Sequence, residues 1–162
     1  MATENINESR LLVELDGSDY EIAEGEPDVQ GWHIKDTQGA RIGKVHDLLF
    51  NPSTQKVRYL IADLEAKVFG VENRKVLIPI GLAELHLSDD EVYLPAITIA
   101  QLAAAPDYIR ELFKPEDEIR VRNAFIDDID IEQTWDEQTF YEHDHYNQRN
   151  FYGRRFNNRD EI

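Results

Sequence analysis

A carboxylate within an apolar stretch is the first feature of this sequence that could do chemistry. Asp47 lies in the predicted strand Ile42–Phe50, among largely hydrophobic residues. A general base or a proton relay is the chemical interpretation. The structural interpretation is a carboxylate that accepts hydrogen bonds from a turn or pairs with Arg58, and we favour it because structural networks also bury acids. Asp36 and Asp63 are most simply explained as strand-end or turn acids.

Two histidines near the carboxyl end form a second candidate site. His143 and His145 flank Asp144 and follow Glu142. Imidazoles and carboxylates are metal ligands, and an i, i+2 pair can bind one ion from an extended chain. Because no third histidine lies nearby, we favour a solvated tail, and His143 and His145 remain the candidate metal ligands. Their imidazoles could titrate near neutral pH. We expect no cofactor.

Other known catalytic and metal-binding motifs are either incomplete in this sequence or absent from it. Asp127-Asp128-Ile129-Asp130 resembles part of a calcium loop, but Gly at loop position 6 and Glu at position 12 are absent, which rules out an EF-hand. The sequence has no Gly-x-Gly-x-x-Gly, Walker loop, serine nucleophile elbow or His-Glu-x-x-His. We assign no catalytic residue and expect a protein that is not an enzyme.

Arginine residues are interleaved with aromatic residues between Phe140 and Arg159. Such a pattern can stack on bases or on the rings of a protein partner. We favour docking within the chain or between subunits, with the arginines paired to the acidic N-terminal segment. The candidate interaction tail consists of Tyr141, Tyr146, Arg149, Phe151, Tyr152, Arg154, Arg155 and Phe156. The stretch 143–162 has no core-building period, so left alone it should be disordered.

Composition excludes several classes of partner. The chain has 162 residues, a formal net charge of −16 and no cysteine. The charge repels nucleic acid and anionic lipid, because affinity for both depends on basic residues. Absent cysteine excludes disulfides, cysteine-ligated metals and thiol nucleophiles. With no apparent signal sequence and no apolar run near the roughly 20 residues of a membrane span, we expect a cytoplasmic protein without a membrane span.

The charge divides the chain into segments. Residues 1–28 carry nine acidic residues and one arginine, whereas residues 29–109 carry ten acidic and eight basic residues. A nearly neutral module is therefore flanked by acidic extensions. The predicted segments are an acidic N-terminal extension with a short strand at 1–27, a domain at 28–107, a helical extension at 108–142 and the arginine and aromatic tail at 143–162.

The central module consists mainly of predicted strands. Strands are predicted at Arg10–Leu15, Trp32–Asp36, Ile42–Phe50, Lys56–Leu64, Lys75–Pro79, Leu82–Leu87 and Val92–Leu94. Lys56–Leu64 has apolar residues on both faces, which indicates a central strand covered on both sides. Glu65–Arg74 is predicted to be a polar loop. Strands at this spacing indicate a small barrel or sandwich.

Helices are predicted after the strands. Thr98-Ile99-Ala100-Gln101 fits a capping box that starts a helix, and Pro106 ends it. A short helical segment is expected at Tyr108–Phe113. Pro115 suits the first position of a helix through Phe125. A second capping box occurs at Thr134-Trp135-Asp136-Glu137.

An ordered series of motifs extends over residues 28–106. The series consists of Gly31-Trp32-His33-Ile34-Lys35-Asp36, Gly39, Ile42-Gly43-Lys44-Val45-His46-Asp47-Leu48-Leu49-Phe50, Val57-Arg58-Tyr59-Leu60, Val76-Leu77-Ile78-Pro79 and Val92-Tyr93-Leu94-Pro95, followed by Leu102 and Pro106. In order and spacing these motifs resemble the PRC-barrel domain family, which takes its name from the cytoplasmic domain of the photosynthetic reaction centre H subunit. The residues we take as structural members of the family pattern are Gly31, Trp32, Asp36, Gly39, Gly43, Asp47, Arg58, Tyr59, Pro79 and Pro95. The flanks resemble those of stand-alone bacterial members.

The resemblance implies a mainly β fold, a small β-barrel with a closing helix, and no established enzyme activity. Members of the family commonly act as docking or assembly modules, frequently as dimers. The sequence departs from the reaction-centre subunit, which has a transmembrane helix before its barrel. It also departs from a related ribosome maturation factor, which has a further RNA-associated domain and a different charge balance.

These observations favour a self-associating interaction module. Its expected partner is itself, as a homodimer or higher homo-oligomer, or another protein, and nucleic acid is not expected. One alternative is an accessory protein of a photosynthetic reaction centre that influences electron transfer. The others are a metal-binding protein and an RNA-associated protein.

Overall fold

Seven strands form most of the molecule. The computed structural model describes residues 12–16, 28–72, 74–86, 89–125, 140–142 and 144–153. The strands are β1 (Val13–Glu14), β2 (His33–Lys35), β3 (Arg41–Asn51), β4 (Lys56–Leu64), β5 (Lys75–Pro79), β6 (Glu84–Leu85) and β7 (Glu91–Tyr93). The helices are α1 (Ala66–Phe69), α2 (Ile99–Ala104), α3 (Pro115–Phe125) and α4 (148–153). The prediction of a mainly β fold is therefore confirmed.

The strands belong to one sheet in the order β5-β4-β3-β2-β7-β6, and β1 pairs with β3. All pairings are antiparallel except that of β2 with β7. β3 and β4 are the long strands, and each has one unpaired bulge residue, His46 and Arg58 respectively. Within the described part of the chain, hydrogen bonds do not close the sheet between β5 and β6.

The core surrounds β4, as its sequence predicts. Four consecutive residues, Tyr59–Ala62, are fully buried, so both faces of this strand are covered. Consecutive burial requires apolar side chains on both faces, and this explains why the strand lacks simple apolar and polar alternation. The prediction that β4 is central is confirmed.

Helix α2 begins and ends where the sequence indicates. The Thr98 hydroxyl accepts from the Gln101 amide at 3.1 Å, and the Gln101 side chain accepts from the Thr98 amide at 2.8 Å. The predicted capping box is confirmed. At the other end, Arg74 Nη2 donates to the carbonyls of Ala103 and Ala105, which lack partners within so short a helix.

The loop predicted at Glu65–Arg74 differs from the structure, because it contains the short helix α1. Its sequence Ala-Lys-Val-Phe has good helix formers at its first two positions, and Gly70 ends it with a positive φ of 77°. A single turn of this kind has little amphipathic pattern from which to predict it.

The C-terminal segment folds back onto the sheet. Residues 140–142 and 144–146 form 3-10 turns, and α4 follows. Tyr146, Phe151 and Tyr152 are buried in the same hydrophobic core as β4 and α3. The described part of the tail thus packs against its own chain, in agreement with the docking within the chain that the sequence favours. The predicted segment boundary at residue 107 marks a change of element type, and the hydrophobic core continues across it.

Candidate functional site

A cluster of tyrosines and one carboxylate joins the sheet, α3 and the C-terminal segment. Glu118 Oε1 accepts hydrogen bonds from the Tyr59 hydroxyl at 2.9 Å and from the Tyr141 hydroxyl at 2.5 Å. The Tyr146 hydroxyl lies 3.1 Å from that of Tyr59. Because the Tyr59 proton is donated to Glu118, Tyr146 donates to Tyr59. We call these four residues the tyrosine–glutamate cluster.

The sequence of α3 explains how a glutamate comes to lie in the interior. Pro115 begins the helix, and its buried residues are Glu118, Val121, Arg122 and Phe125, spaced i, i+3, i+4 and i+7. That spacing defines one helical face. Glu118 is 1% exposed, and the tyrosine hydroxyls replace the water it would otherwise bind.

Two arginines contribute positive charge to this cluster. The Arg58 guanidinium carbon lies 4.2 Å from the centroid of the Tyr141 ring, and that of Arg122 lies 4.5 Å from the Phe140 ring. Both are cation–π distances. Arg58 is the bulge residue of β4, and bulges redirect side chains. The bulge therefore explains why the Arg58 side chain reaches Tyr141 in the C-terminal segment and not the Asp47 carboxylate.

Burial controls the protonation of the cluster. Loss of hydration, together with the Glu118 charge, raises the pKa of Tyr59, Tyr141 and Tyr146 above the usual tyrosine range. Burial also lowers the pKa of Arg58. The tyrosines therefore stay protonated and act as donors, and the cluster fixes the C-terminal segment in place.

An open groove lies on the surface next to α3. It has a volume of about 200 Å³ and is lined by Leu77, Pro106, Asp107, Tyr108, Ile109, Leu112, Phe113, Asp117, Arg120 and Val121. Leu112 is 64% exposed and Ile109 is 50% exposed at its rim. The groove lining contains both apolar and charged side chains, and a concave surface of this kind with exposed aliphatic side chains is a candidate interaction surface.

The charged residues in the groove are paired. Asp107 accepts from Arg74 Nε at 2.7 Å, and Asp117 accepts from Arg120 Nη2 at 2.8 Å. Each pair is neutral. The groove therefore combines apolar side chains with balanced charge in a strongly acidic chain.

The tyrosine–glutamate cluster contacts residues that line the groove. The Phe113 ring packs edge-on against Tyr59 at 6.5 Å and against Tyr108 at 5.5 Å between centroids. Helix α3 presents Glu118 to the cluster and Val121 to the groove. The position of the groove wall thus depends on the contacts that hold α3.

The Asp47 carboxylate accepts hydrogen bonds from backbone amides, as its structural interpretation from the sequence predicts. Its Oδ2 accepts from the Asp16 amide at 2.9 Å, and its Oδ1 accepts from the Leu48 amide at 2.8 Å. Asp16 begins the turn after β1, so the carboxylate holds β1 on the sheet. Burial raises the pKa of Asp47, while the two amides partly oppose that rise. The alternative partner, Arg58, lies over Tyr141.

The other family-pattern residues lie in turns and strands. Asp36 accepts from the amides of Gln38 and Ala40, and Gly39 completes this turn with a φ of 81°. Gly43 is in β3, where a Cβ would lie 2.5 Å from the Asp63 carbonyl oxygen. Gly31 has a positive φ, Trp32 is half-buried, Pro79 is buried at the end of β5, and Pro95 is exposed.

The tail residues divide into buried, exposed and undescribed ones. Tyr141, Tyr146, Phe151 and Tyr152 are buried, whereas Arg149 is exposed and His145 is half-buried. Outside the described residues lie His143, Arg154, Arg155, Phe156, Asp127–Asp130 and the second capping box at Thr134. Among the residues that the structure describes, no group of three or more acidic or histidine side chains is placed to hold a metal ion.

The sequence reasoning missed Glu118, Arg122 and the groove. A signal for the first two is present, because they share the helical spacing of Val121 and Phe125. Charged residues on an apolar stripe indicate an internal polar network. The groove gives no comparable signal, since Leu77 and the 106–121 segment meet only in the folded chain.

The comparisons with known proteins identify one domain. The family model of the PRC-barrel domain matches residues 25–101. No curated protein is significantly similar to the chain. The matched range includes β2 to β7 and leaves α3, the C-terminal segment and most of the groove outside it. In the described ranges, no helix is long and apolar enough to cross a membrane.

Proposed function

Residues 25–101 are a PRC-barrel domain, and we propose that the chain is a non-enzymatic interaction module that associates with itself. In this proposal the sheet acts as a rigid barrel. The gap between β5 and β6, which hydrogen bonds do not close, is closed by α2 and by side-chain packing. The elements after residue 106 provide the binding surface. The cysteine-free composition supports the cytoplasm as the place of action.

The exposed groove is the observation that carries this proposal. Two aliphatic side chains, Ile109 and Leu112, are at least half exposed beside walls that include the apolar residues Leu77, Phe113 and Val121. Removing such side chains from water stabilises a complex by about 25 cal/mol for each Å² of apolar surface. An interaction surface explains why these side chains remain exposed.

The folded tail supports the same function. Its aromatic side chains are buried within the chain, where Tyr141 binds Glu118 and keeps α3 in place. A rigid surface loses little conformational entropy when it binds a partner. The tail therefore contributes to interaction by holding the groove wall in position.

Light scattering on the full chain tests this function. One chain has a mass of 18.8 kDa, and we expect the measured mass to rise towards twice that value as concentration increases. A mass that stays at 18.8 kDa over a broad concentration range would overturn self-association.

A further inference from the structure

We propose that two copies of the chain pair about a two-fold axis, with the Arg110–Leu112 turn of each copy inserted into the groove of the other. This inference rests on the proposed self-association and names the surface responsible for it. Its occupant is a second copy of this chain.

Size and chemistry match the turn to the groove. The groove has a volume of about 200 Å³ and walls that include Leu77, Phe113 and Val121. An apolar cavity of roughly 150 Å³ accommodates a benzene molecule, which is comparable to a leucine side chain. Leu112 is the most exposed large apolar residue among those the structure describes, at 64%.

The arrangement of turn and groove favours a closed pair. Ile109 and Leu112 form the rim of the same groove that a partner would fill. When the inserting group and its receptor lie on one patch, a two-fold rotation satisfies both at once. A receptor on a distant face would instead produce a ring or an open filament.

Charge restricts where two copies can meet. Each chain carries −16, so two chains repel each other over most approaches. At the groove, Asp107 pairs with Arg74 and Asp117 pairs with Arg120. The turn itself carries both signs, in Arg110 and Glu111. Because this surface is locally neutral, a second copy of the acidic chain meets less electrostatic repulsion here.

The first experiment compares the masses of three full-length variants by light scattering. Leu112→Asp and Ile109→Asp place a carboxylate in the apolar contact, and we expect at least a tenfold weaker association. Val71→Asp is the matched control, because Val71 is 53% exposed and lies outside the groove lining. We expect it to associate like the unmodified chain.

The possible outcomes separate this inference from the proposed function. If the unmodified chain pairs and Leu112→Asp pairs equally well, the groove assignment is wrong while self-association stands. If the unmodified chain remains monomeric, both proposals fail. Identical far-ultraviolet circular dichroism spectra of the three variants show that the fold is intact, as expected for substitutions at exposed positions.

A second experiment uses the absence of natural cysteine. A Leu112→Cys chain is mixed with an Arg120→Cys chain, and mild oxidation should link them, because Leu112 of one copy enters the groove lined by Arg120 of the other. A mixture of Val71→Cys and Arg120→Cys is the control. Equal cross-linking in both mixtures, or none with Leu112→Cys, would contradict the two-fold contact.

Discussion

Glu118 has the most demanding environment of the described acidic residues. One of its carboxylate oxygens accepts from both Tyr59 and Tyr141, and it is 1% exposed. Hydrogen bonds to a charged group contribute about 1.5–3 kcal/mol each. Such a group stabilises the fold only as long as all its partners remain, because an unpaired buried charge is costly.

Replacement of Glu118 by glutamine tests this environment. Glu118→Gln retains the shape but puts an NH₂ donor among hydroxyl donors and removes the negative charge. We expect the free energy of unfolding to fall by about 2–3 kcal/mol in urea titrations. Glu116→Gln is the control, since Glu116 is exposed on the same helix and should change stability by less than about 0.5 kcal/mol. Equal effects of the two substitutions would contradict the role of Glu118.

The raised pKa of Asp47 predicts the direction in which the free energy of unfolding changes with pH. Burial raises its pKa in the folded state above the ordinary 3.8, so the folded chain holds this proton more tightly than the unfolded chain. The resulting stabilisation is complete below 3.8 and is lost as pH rises through the folded-state pKa.

The comparison with Asp47→Asn isolates this contribution. We expect the unfolding free energy of the unmodified chain, relative to the variant, to be most favourable near pH 4 and to decline towards pH 7. Urea titrations of both proteins across this range measure it. A difference that stays constant or grows with pH would show that burial does not control the titration of Asp47.

At the scale of elements, the bounds of strands and helices follow mostly from local sequence patterns. β4 begins and ends where its apolar run does, and Thr98 with Gln101 places the start of α2. The bulges at His46 and Arg58 are different, because they depend on the register between two strands. No property of either strand alone indicates which residue remains unpaired.

The sequence favours docking of the tail, but it does not identify the surface that receives it. Tyr146 meets Tyr59 from 87 positions away. Its receptor includes β4 and the turn Ile80–Leu82, and the composition of the tail does not indicate these elements. The groove depends on the same kind of remote contact.

The Phe151 side chain provides a direct test of tail docking. It is fully buried, and Phe151→Ala should lower the free energy of unfolding by about 3–5 kcal/mol, through lost burial and the cavity left behind. Urea unfolding followed by circular dichroism measures this. Val71→Ala is the exposed control, because Val71 lies outside the groove, and it should change the free energy of unfolding by less than about 0.5 kcal/mol. A small effect of Phe151→Ala would contradict the observed packing.

At the scale of the whole molecule, net charge opposes the proposed pairing. The charge of −16 acts over distances set by salt, with a screening length of about 30 Å at 0.01 M and about 10 Å at 0.1 M. We therefore expect the dissociation constant of the pair to decrease severalfold between these salt concentrations. Sedimentation equilibrium measures it. An increase with salt would instead indicate attraction between opposite charges at the contact.

The edge of β4 also bears on how the chain is made. Beyond the end of β5, the Val57 amide donates to Gln148 at 2.9 Å, across 91 positions. A ribosome produces this strand long before it produces its cover. The nascent chain therefore carries the Val57 amide without this partner until residue 148 emerges, and unpaired strand amides can pair with neighbouring chains. Slower translation of the final segment should increase misassembly, and a chaperone that shields strand edges during synthesis should reduce it.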